Sequence, residues 1–139
     1  MLAWMTVIAF LSTDIGSEEY TTGGLFSIIH FVSPGAERSE LEAELRLLSW
    51  MVRKLGHLSE YAVLSFLVCR WVLFSFGTSP QIWQRGGLII SSAYAALDEF
   101  HQLYVPTRSG SIVDVMIDLV GVVLGTLLFA RSTRPGNRL

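Results

Sequence analysis

The chain has 139 residues, of which 51% are hydrophobic and only 16% are charged. Soluble domains usually contain about 25% charged residues, so this composition indicates a membrane protein, and the length suits a single domain, residues 1–139. The net charge of -2 gives no reason to expect nucleic-acid binding, and the one cysteine provides no disulfide framework. We therefore predict an all-α, polytopic helix bundle in the cell membrane, with about four transmembrane helices.

The first predicted transmembrane helix is the apolar run MLAWMTVIAFLS. At about 1.5 Å of rise per residue, this run is short for a hydrocarbon core of about 30 Å. It lacks the basic n-region and the small-x-small cleavage site that are typical of a signal peptide. We therefore expect a tilted spanning helix, or one whose true start lies upstream of Met1.

A long acidic connection, residues 13–52, follows the first helix. Its segment LFSIIHFV is apolar enough to dip into the membrane interface. Ser39 and Glu42 have the spacing of a capping box. Four apolar residues fall on one helical face: Leu41, Leu45, Leu48 and Met51. The pattern predicts an amphipathic helix over residues 39–51 within this loop.

Three longer apolar stretches complete the predicted bundle. The second transmembrane helix covers residues 55–76. After the break GTSP, Ser79 is the predicted N-cap and Pro80 the first residue of the third helix, which runs to about Tyr104. VPTRSG is the predicted turn, because its proline and glycine both oppose helix continuation. The fourth helix covers residues 111–131.

Polar residues lie at three of the predicted helix ends. Successive spanning helices alternate in direction, so the start of the second helix, the end of the third and the start of the fourth share one membrane face. We therefore expect one polar site formed by nine residues: Lys54, His57 and Tyr61, then Asp98, Glu99 and Gln102, then Arg108, Asp114 and Asp118. Arg53 and Glu60 lie at the same end of the second helix and share a helical stripe with Lys54, His57 and Tyr61. Three arginines directly after the last helix favour a cytoplasmic C-terminus, so the site is expected to face outward.

Helical spacing predicts which way the acids of the fourth helix point. Asp114 and Asp118 fall on one face of that helix. The same face carries Gly121 and Gly125, whose spacing lets another helix approach closely. We therefore expect both acids to face other helices rather than lipid.

Both acids also have a purely structural alternative. Ser111 and Asp114 have the spacing of a capping box. Asp118 lies one turn deeper, where capping cannot explain it, and its alternative is an ion pair with Arg108 or Lys54. Intramembrane carboxylates are functional candidates by default, so both acids are kept as site residues.

Asp98 and Glu99 are neighbours in the sequence, and they point about 100° apart on a helix. One of the two is therefore expected to leave the cavity. Asp98 lies on the same side of the helix as Gln102, so it is the stronger candidate for the site.

Two blocks of the sequence resemble the VanZ-like family of bacterial membrane proteins. KLGHLSEY is similar to the family pattern Lys-x-x-His-x-x-x-Tyr. DEFHQLYVPTRSGSIVDVMIDLVGVVLG is similar to Asp-Glu-x-x-Gln, then Pro-x-Arg, then Asp-x-x-x-Asn-x-x-Gly-x-x-x-Gly, except that Asp118 stands where the family usually has Asn. The resemblance covers residues 54–125. The family is named for a protein linked to resistance to teicoplanin, a lipid-anchored glycopeptide antibiotic, which implies a role in the cell envelope.

The leading functional hypothesis is a lipid-facing binder or enzyme of the cell envelope. Lys54, His57 and Arg108 would hold the phosphate or carboxylate of a lipid head group, because arginine presents a planar, bidentate fork. The candidate catalytic residues are His57, Asp98, Asp114 and Asp118. The candidate substrate-binding residues are Lys54, Tyr61, Glu99, Gln102 and Arg108.

Two other functions remain open: a non-catalytic bundle that acts through protein partners, and a small proton-coupled carrier. No metal or other cofactor is predicted, because the available ligands lack a tight spacing such as H-E-x-x-H. Those ligands are His57, Glu60, Asp98 and Asp114. The expected partners are the lipid bilayer and a lipid or lipid-linked anionic ligand.

Overall fold

The computed structural model describes residues 1–13, 17–33, 35, 39, 41–77, 79–106 and 111–134. This part of the chain contains five helices and no strand, which confirms the all-α prediction. We number the helices in chain order: α1 is Leu2–Leu11, α2 is Glu18–Val32, α3 is Glu42–Phe76, α4 is Pro80–Gln102 and α5 is Ile112–Ser132. Residues 107–110 of the predicted turn, with Arg108 among them, lie outside the described residues.

Short-range signals set the starts of α4 and α5 as the sequence predicts. Ser79 precedes α4 and Pro80 is its first residue, where a missing N–H costs no intrahelical hydrogen bond. Ser111 caps α5, and its hydroxyl accepts a hydrogen bond from the N–H of Val113 at 3.2 Å. Before α4 begins, α3 ends at Phe76, and its C-cap is Gly77, whose φ of 56° lies in the left-handed region that favours glycine.

The predicted amphipathic helix and the predicted second spanning helix are one continuous helix, α3. Residues 42–55 contain neither proline nor glycine, so nothing in the sequence breaks the helix between them. The N-cap of α3 is Leu41, which makes no side-chain capping bond, so the capping box predicted at Ser39 is wrong. The 35 residues of α3 make it longer than a hydrocarbon core of about 30 Å.

Helix α2 forms within the connection, where the sequence analysis predicts no helix. Ser17 is its N-cap, with its hydroxyl 3.5 Å from the N–H nitrogen of Tyr20. Glu18 and Glu19 lie in the first turn, where the helix dipole favours negative charge. The segment LFSIIHFV is the second half of α2, which packs against α3. The interfacial position expected for this segment stays a prediction.

Helix α3 is central and packs against the other four helices. Early in α4, Gly87 faces Cys69 of α3. Near the end of α4, Glu99 faces His57, which lies earlier in α3 than Cys69 does. The two helices are therefore antiparallel, so the end of α4 returns to the part of α3 that carries the predicted site.

Helix α5 approaches α3 closely through two glycines. A Cβ atom added at Gly121 would clash with the carbonyl of Leu58, and one added at Gly125 would clash with the carbonyl of Ala62. The order of these pairs makes α5 parallel to α3. The prediction that this glycine face meets another helix is confirmed, and the acids of the same face are buried.

The apolar core lies where α3, α4 and α5 meet, with α1 packed against it. Two hydrogen bonds hold α1 in place: Trp4 Nε1 donates to the carbonyl of Glu60 at 2.9 Å, and the Tyr94 hydroxyl donates to the carbonyl of Met5 at 2.7 Å. The buried core residues are Ile8, Tyr61, Leu64, Val68, Cys69, Val72, Trp83, Ala95, Val122 and Phe129.

Two helices of the described chain, α3 and α5, are long and apolar enough to cross a membrane. Helix α1 is apolar but shorter. Helix α4 has 23 residues, and it carries buried acids near its C-terminal end. The count of four transmembrane helices stays a prediction.

Candidate functional site

The helix directions bring polar residues of α3, α4 and α5 together at one end of the bundle. Seven of these residues are buried: His57, Tyr61, Asp98, Glu99, Gln102, Asp114 and Asp118. Lys54 is half-buried at the same end. The expected convergence is therefore present in the described residues, and the ninth predicted residue, Arg108, lies outside them. We call these eight residues the polar cluster.

His57 and Asp118 link α3 to α5 within the polar cluster. Nδ1 of His57 lies 3.1 Å from Oδ1 of Asp118 and 4.0 Å from Oε1 of Glu99. Asp118 is fully buried, at 0% exposure, so it faces the protein and not lipid. The alternative ion pair of Asp118 with Lys54 is wrong, because Lys54 pairs with Asp114 instead.

Lys54 and Asp114 form an ion pair between α3 and α5. Their side chains are 16% and 6% exposed, so the pair is largely shielded from water. The capping box predicted for Ser111 and Asp114 is only half present. Ser111 caps α5 as expected, but its own N–H donates to Oε2 of Glu99 in α4, at 2.9 Å, and not to Asp114. Asp114 is thereby left to pair with the lysine.

Asp98 and Glu99 are both buried, so the expectation that one of them leaves the cavity is wrong. Oδ2 of Asp98 accepts hydrogen bonds from the Ser12 hydroxyl at 2.8 Å and from Nε2 of Gln102 at 3.2 Å. Glu99 points about 100° away and meets the start of α5 at Ser111. Different neighbours, the end of α1 and the start of α5, thus cover two faces of α4.

A cavity of about 170 Å³ lies beside the polar cluster, between α1, α2 and α3. Its walls include the polar side chains of Ser12, Arg53, His57 and Glu60. The side chain of Arg53 is 20% exposed, and its Nη1 lies 3.6 Å from Oε2 of Glu18. Nε of Arg53 is buried and has no hydrogen-bond partner among the described residues. The wall of the cavity therefore contains a cationic donor that is not fully satisfied.

Comparison with known proteins places the chain in a family. A family model described as VanZ/LLP1 matches residues 1–133, nearly the whole chain. The chain belongs to the VanZ/LLP1 family. This match extends beyond residues 54–125, where the motifs of the sequence lie. Searches of curated proteins and of solved structures found no match. Family membership and the two long apolar helices together indicate that this VanZ/LLP1 protein is a membrane protein.

The polar cluster of this VanZ/LLP1 protein holds more acids than bases. Four of its buried residues are carboxylates: Asp98, Glu99, Asp114 and Asp118. Among the described cluster residues only Lys54 and His57 can be positive, so the acids exceed the bases by two even when the histidine is protonated. Buried charges are normally paired and hydrogen-bonded. The arrangement is therefore suited to holding a cation or protons.

One side chain of the VanZ/LLP1 site, that of Ser12, was missed by reasoning from the sequence. Ser12 donates to Asp98 from a position 86 residues earlier in the chain, and no local pattern indicates such a contact. Arg53 was expected at this face, because it precedes Lys54 and shares a helical stripe with His57. Its place in the wall of the cavity depends on α2, which the sequence analysis did not predict.

Proposed function

We propose that this VanZ/LLP1 protein binds the anionic head group of a lipid or of a lipid-linked component of the cell envelope. The observation that carries the proposal is Arg53, which lines the cavity and has a buried Nε without a described acceptor. An unsatisfied buried donor costs about 1–3 kcal/mol, and more when it is charged. An acceptor oxygen on a ligand would remove that cost, and His57 in the same wall offers a second polar contact.

The proposed ligand carries a phosphate or a carboxylate. The planar guanidinium of Arg53 suits either group, because it can donate two parallel hydrogen bonds. Glu60 lines the same cavity, so a head group that also carries an ammonium or hydroxyl donor could bind Glu60 while its anionic group binds Arg53. The ligand-binding residues expected from the sequence also remain part of the proposal: Lys54, Tyr61, Glu99, Gln102 and Arg108.

The proposal includes a multi-pass arrangement with the cavity at the outer face of the cell membrane. The 23 residues of α4 are enough, at about 1.5 Å per residue, to cross a hydrocarbon core of about 30 Å between α3 and α5. Arg131 and Arg134 follow at the opposite end of α5 from the polar cluster, which favours a cytoplasmic position for that end. An effect on teicoplanin susceptibility is part of the proposal, since that antibiotic is itself lipid-anchored.

The polar cluster also supports proton transfer to or from a bound ligand. A histidine beside a carboxylate is a common general acid–base pair, in which the carboxylate orients the ring. His57 would exchange the proton, and Asp118 would orient His57. Asp98 and Asp114 would act on neighbouring groups, since they bind Ser12 and Lys54 respectively.

Native mass spectrometry of the detergent-purified protein tests the binding proposal. The protein is incubated with phosphatidylglycerol, phosphatidylethanolamine or phosphatidylcholine, and the retained lipid is measured. We expect Arg53→Ala to weaken retention of the preferred lipid about tenfold, which is the loss of one charge-assisted hydrogen bond. Arg46→Ala is the matched control, because Arg46 lies earlier in α3 and its side chain is 65% exposed. Equal retention by both variants would contradict the proposal and favour a bundle that acts through protein partners.

A further inference from the structure

Three buried side chains of the polar cluster bring potential metal ligands together from three helices. His57 of α3, Glu99 of α4 and Asp114 of α5 each offer one ligand atom, and these three atoms lie within 4.8 Å of one another. All three residues are buried. The set differs from the one considered in the sequence, since Glu99 replaces Asp98 and Glu60. It becomes visible only when the three helix ends are placed together.

Unsatisfied carboxylate oxygens provide an independent reason to expect a cation here. Oε1 of Glu99 and Oδ2 of Asp118 are both buried, and neither accepts a hydrogen bond from a described residue. Glu99 is 4% exposed, and its Oε1 is directed at the histidine ring, 4.0 Å from Nδ1 of His57. Buried acceptors in native proteins almost always have a protein, water or ion partner. The acid excess of the cluster points to a positively charged one.

We propose that His57, Glu99 and Asp114 bind a divalent transition-metal ion such as zinc or manganese. A histidine nitrogen with two carboxylates favours such an ion, because magnesium and calcium prefer all-oxygen sites. Three protein ligands leave a coordination position for a further ligand. This inference goes beyond the head-group proposal and does not depend on it.

Two neighbouring residues have the positions that supporting groups of a metal site usually occupy. Metal-binding histidines commonly donate their second ring N–H to a carboxylate. Asp118 lies 3.1 Å from Nδ1 of His57, so it is placed to orient the histidine ring. Lys54 pairs with Oδ1 of Asp114 and so fixes the position of this carboxylate between α3 and α5.

Equilibrium dialysis with elemental analysis tests the site on the full chain. The protein is purified in a neutral detergent without added anionic lipid, stripped with a chelator, and titrated separately with zinc and manganese chloride. We expect about one tightly bound ion per chain, and we expect Glu99→Gln to weaken binding by about tenfold or more. Glu44→Gln, an exposed acid in the first turn of α3, is the matched control and should bind as the native protein does.

A spectroscopic readout on the native protein covers the case in which Glu99→Gln fails to fold. Manganese bound at this site should show coupling to a histidine nitrogen in pulsed electron paramagnetic resonance. Native protein that binds no stoichiometric ion, or that binds manganese without nitrogen coupling, overturns the inference. So does a folded Glu99→Gln variant with native affinity. A failure of the head-group proposal is distinguishable, because lipid retention is a separate measurement and the metal titration contains no added anionic lipid.

Discussion

The two ends of the α3–α5 interface are packed in different ways. At the apolar end, the hydroxyls of Ser65 and Thr126 lie 2.8 Å apart, and Thr126 also donates to the carbonyl of Val122 at 3.0 Å. The ring of Phe129 packs edge-on against Trp83 with centroids 5.0 Å apart. At the polar end, four carboxylates share a buried space with one lysine and one histidine, and two of their oxygens lack a described partner.

This difference separates polar groups that serve packing from polar groups that are available for binding. The hydroxyls at the apolar end satisfy each other, so an added ligand has nothing to gain there. At the polar end, Glu99, Asp118 and the cavity-lining Arg53 each have one buried polar atom without a hydrogen-bond partner among the described residues. Substitutions at the apolar end should therefore change stability without changing ligand binding, and those at the polar end should affect binding.

The largest expected effect is at the glycine contact between the two ends. Gly125→Ala places a Cβ atom against the backbone carbonyl of Ala62, and a backbone contact cannot move aside as a flexible side chain can. We expect a loss of at least about 3 kcal/mol in the free energy of unfolding. The thermal midpoint in detergent measures this loss, with Gly24→Ala in α2 as control, because an added Cβ there meets nothing within 4 Å. Equal midpoints for the two variants would show that α5 does not pack on α3 in this way.

The second largest effect is expected for the ion pair of the polar end. Lys54→Met removes the cation beside buried Asp114 and adds to the acid excess. Breaking a buried pair costs about 3–5 kcal/mol, and we expect about 3 kcal/mol because Lys54 is partly exposed. Chemical denaturation measures the change. Arg46→Met, which breaks the exposed Arg46–Glu42 pair, is the control and should change stability little. A similar small change for both variants would mean that the Lys54 pair is not shielded.

The elements that could be predicted from the sequence depend on local signals. Ser111 marks the start of α5 through its side-chain cap, and Pro80 marks the start of α4, where Ser79 is the N-cap residue without a side-chain capping bond. The face with Gly121 and Gly125 could be predicted to meet another helix because glycine spacing itself permits the approach. Convergence of the helix ends followed from their alternating directions.

The elements that were missed depend on contacts between distant segments. Helix propensity alone does not reveal that residues 42–55 continue directly into a spanning helix. Glu99 was expected to point away from the site, and it is buried because α5 begins against it at Ser111. The contribution of Ser12 required knowing that the end of α1 lies beside Asp98.

A smaller effect, of opposite sign, is expected from reducing the acid excess. Asp118→Asn keeps an oxygen that can accept from His57 and removes one buried negative charge. We expect the unfolding free energy of the metal-free protein to rise by about 1 kcal/mol, because the cluster buries more negative charge than its two bases can pair, and unpaired buried charge is costly. The thermal midpoint in chelator measures this change. A lower midpoint would show that the negative charge of Asp118 is fully paired in the folded protein, so that the polar cluster has no excess of negative charge.

The smallest effect is expected for the hydroxyl pair at the apolar end. Ser65→Ala removes one hydrogen bond, but Thr126 keeps its bond to the carbonyl of Val122. We expect a loss of about 1 kcal/mol in stability and unchanged lipid retention. Parallel measurements of the thermal midpoint and of retained lipid check both parts. Lost retention with an intact fold would mean that the apolar end also contributes to binding.

The most direct test of the central claim is the shift in thermal midpoint on addition of phosphatidylglycerol, measured for the native protein, Arg53→Ala and Ser65→Ala. A ligand present at about 100 times its Kd stabilises the folded state by about 2.7 kcal/mol. We expect equal upward shifts for the native protein and Ser65→Ala, and little or no shift for Arg53→Ala. Equal shifts in all three proteins, or no shift in the native protein, would contradict the central claim.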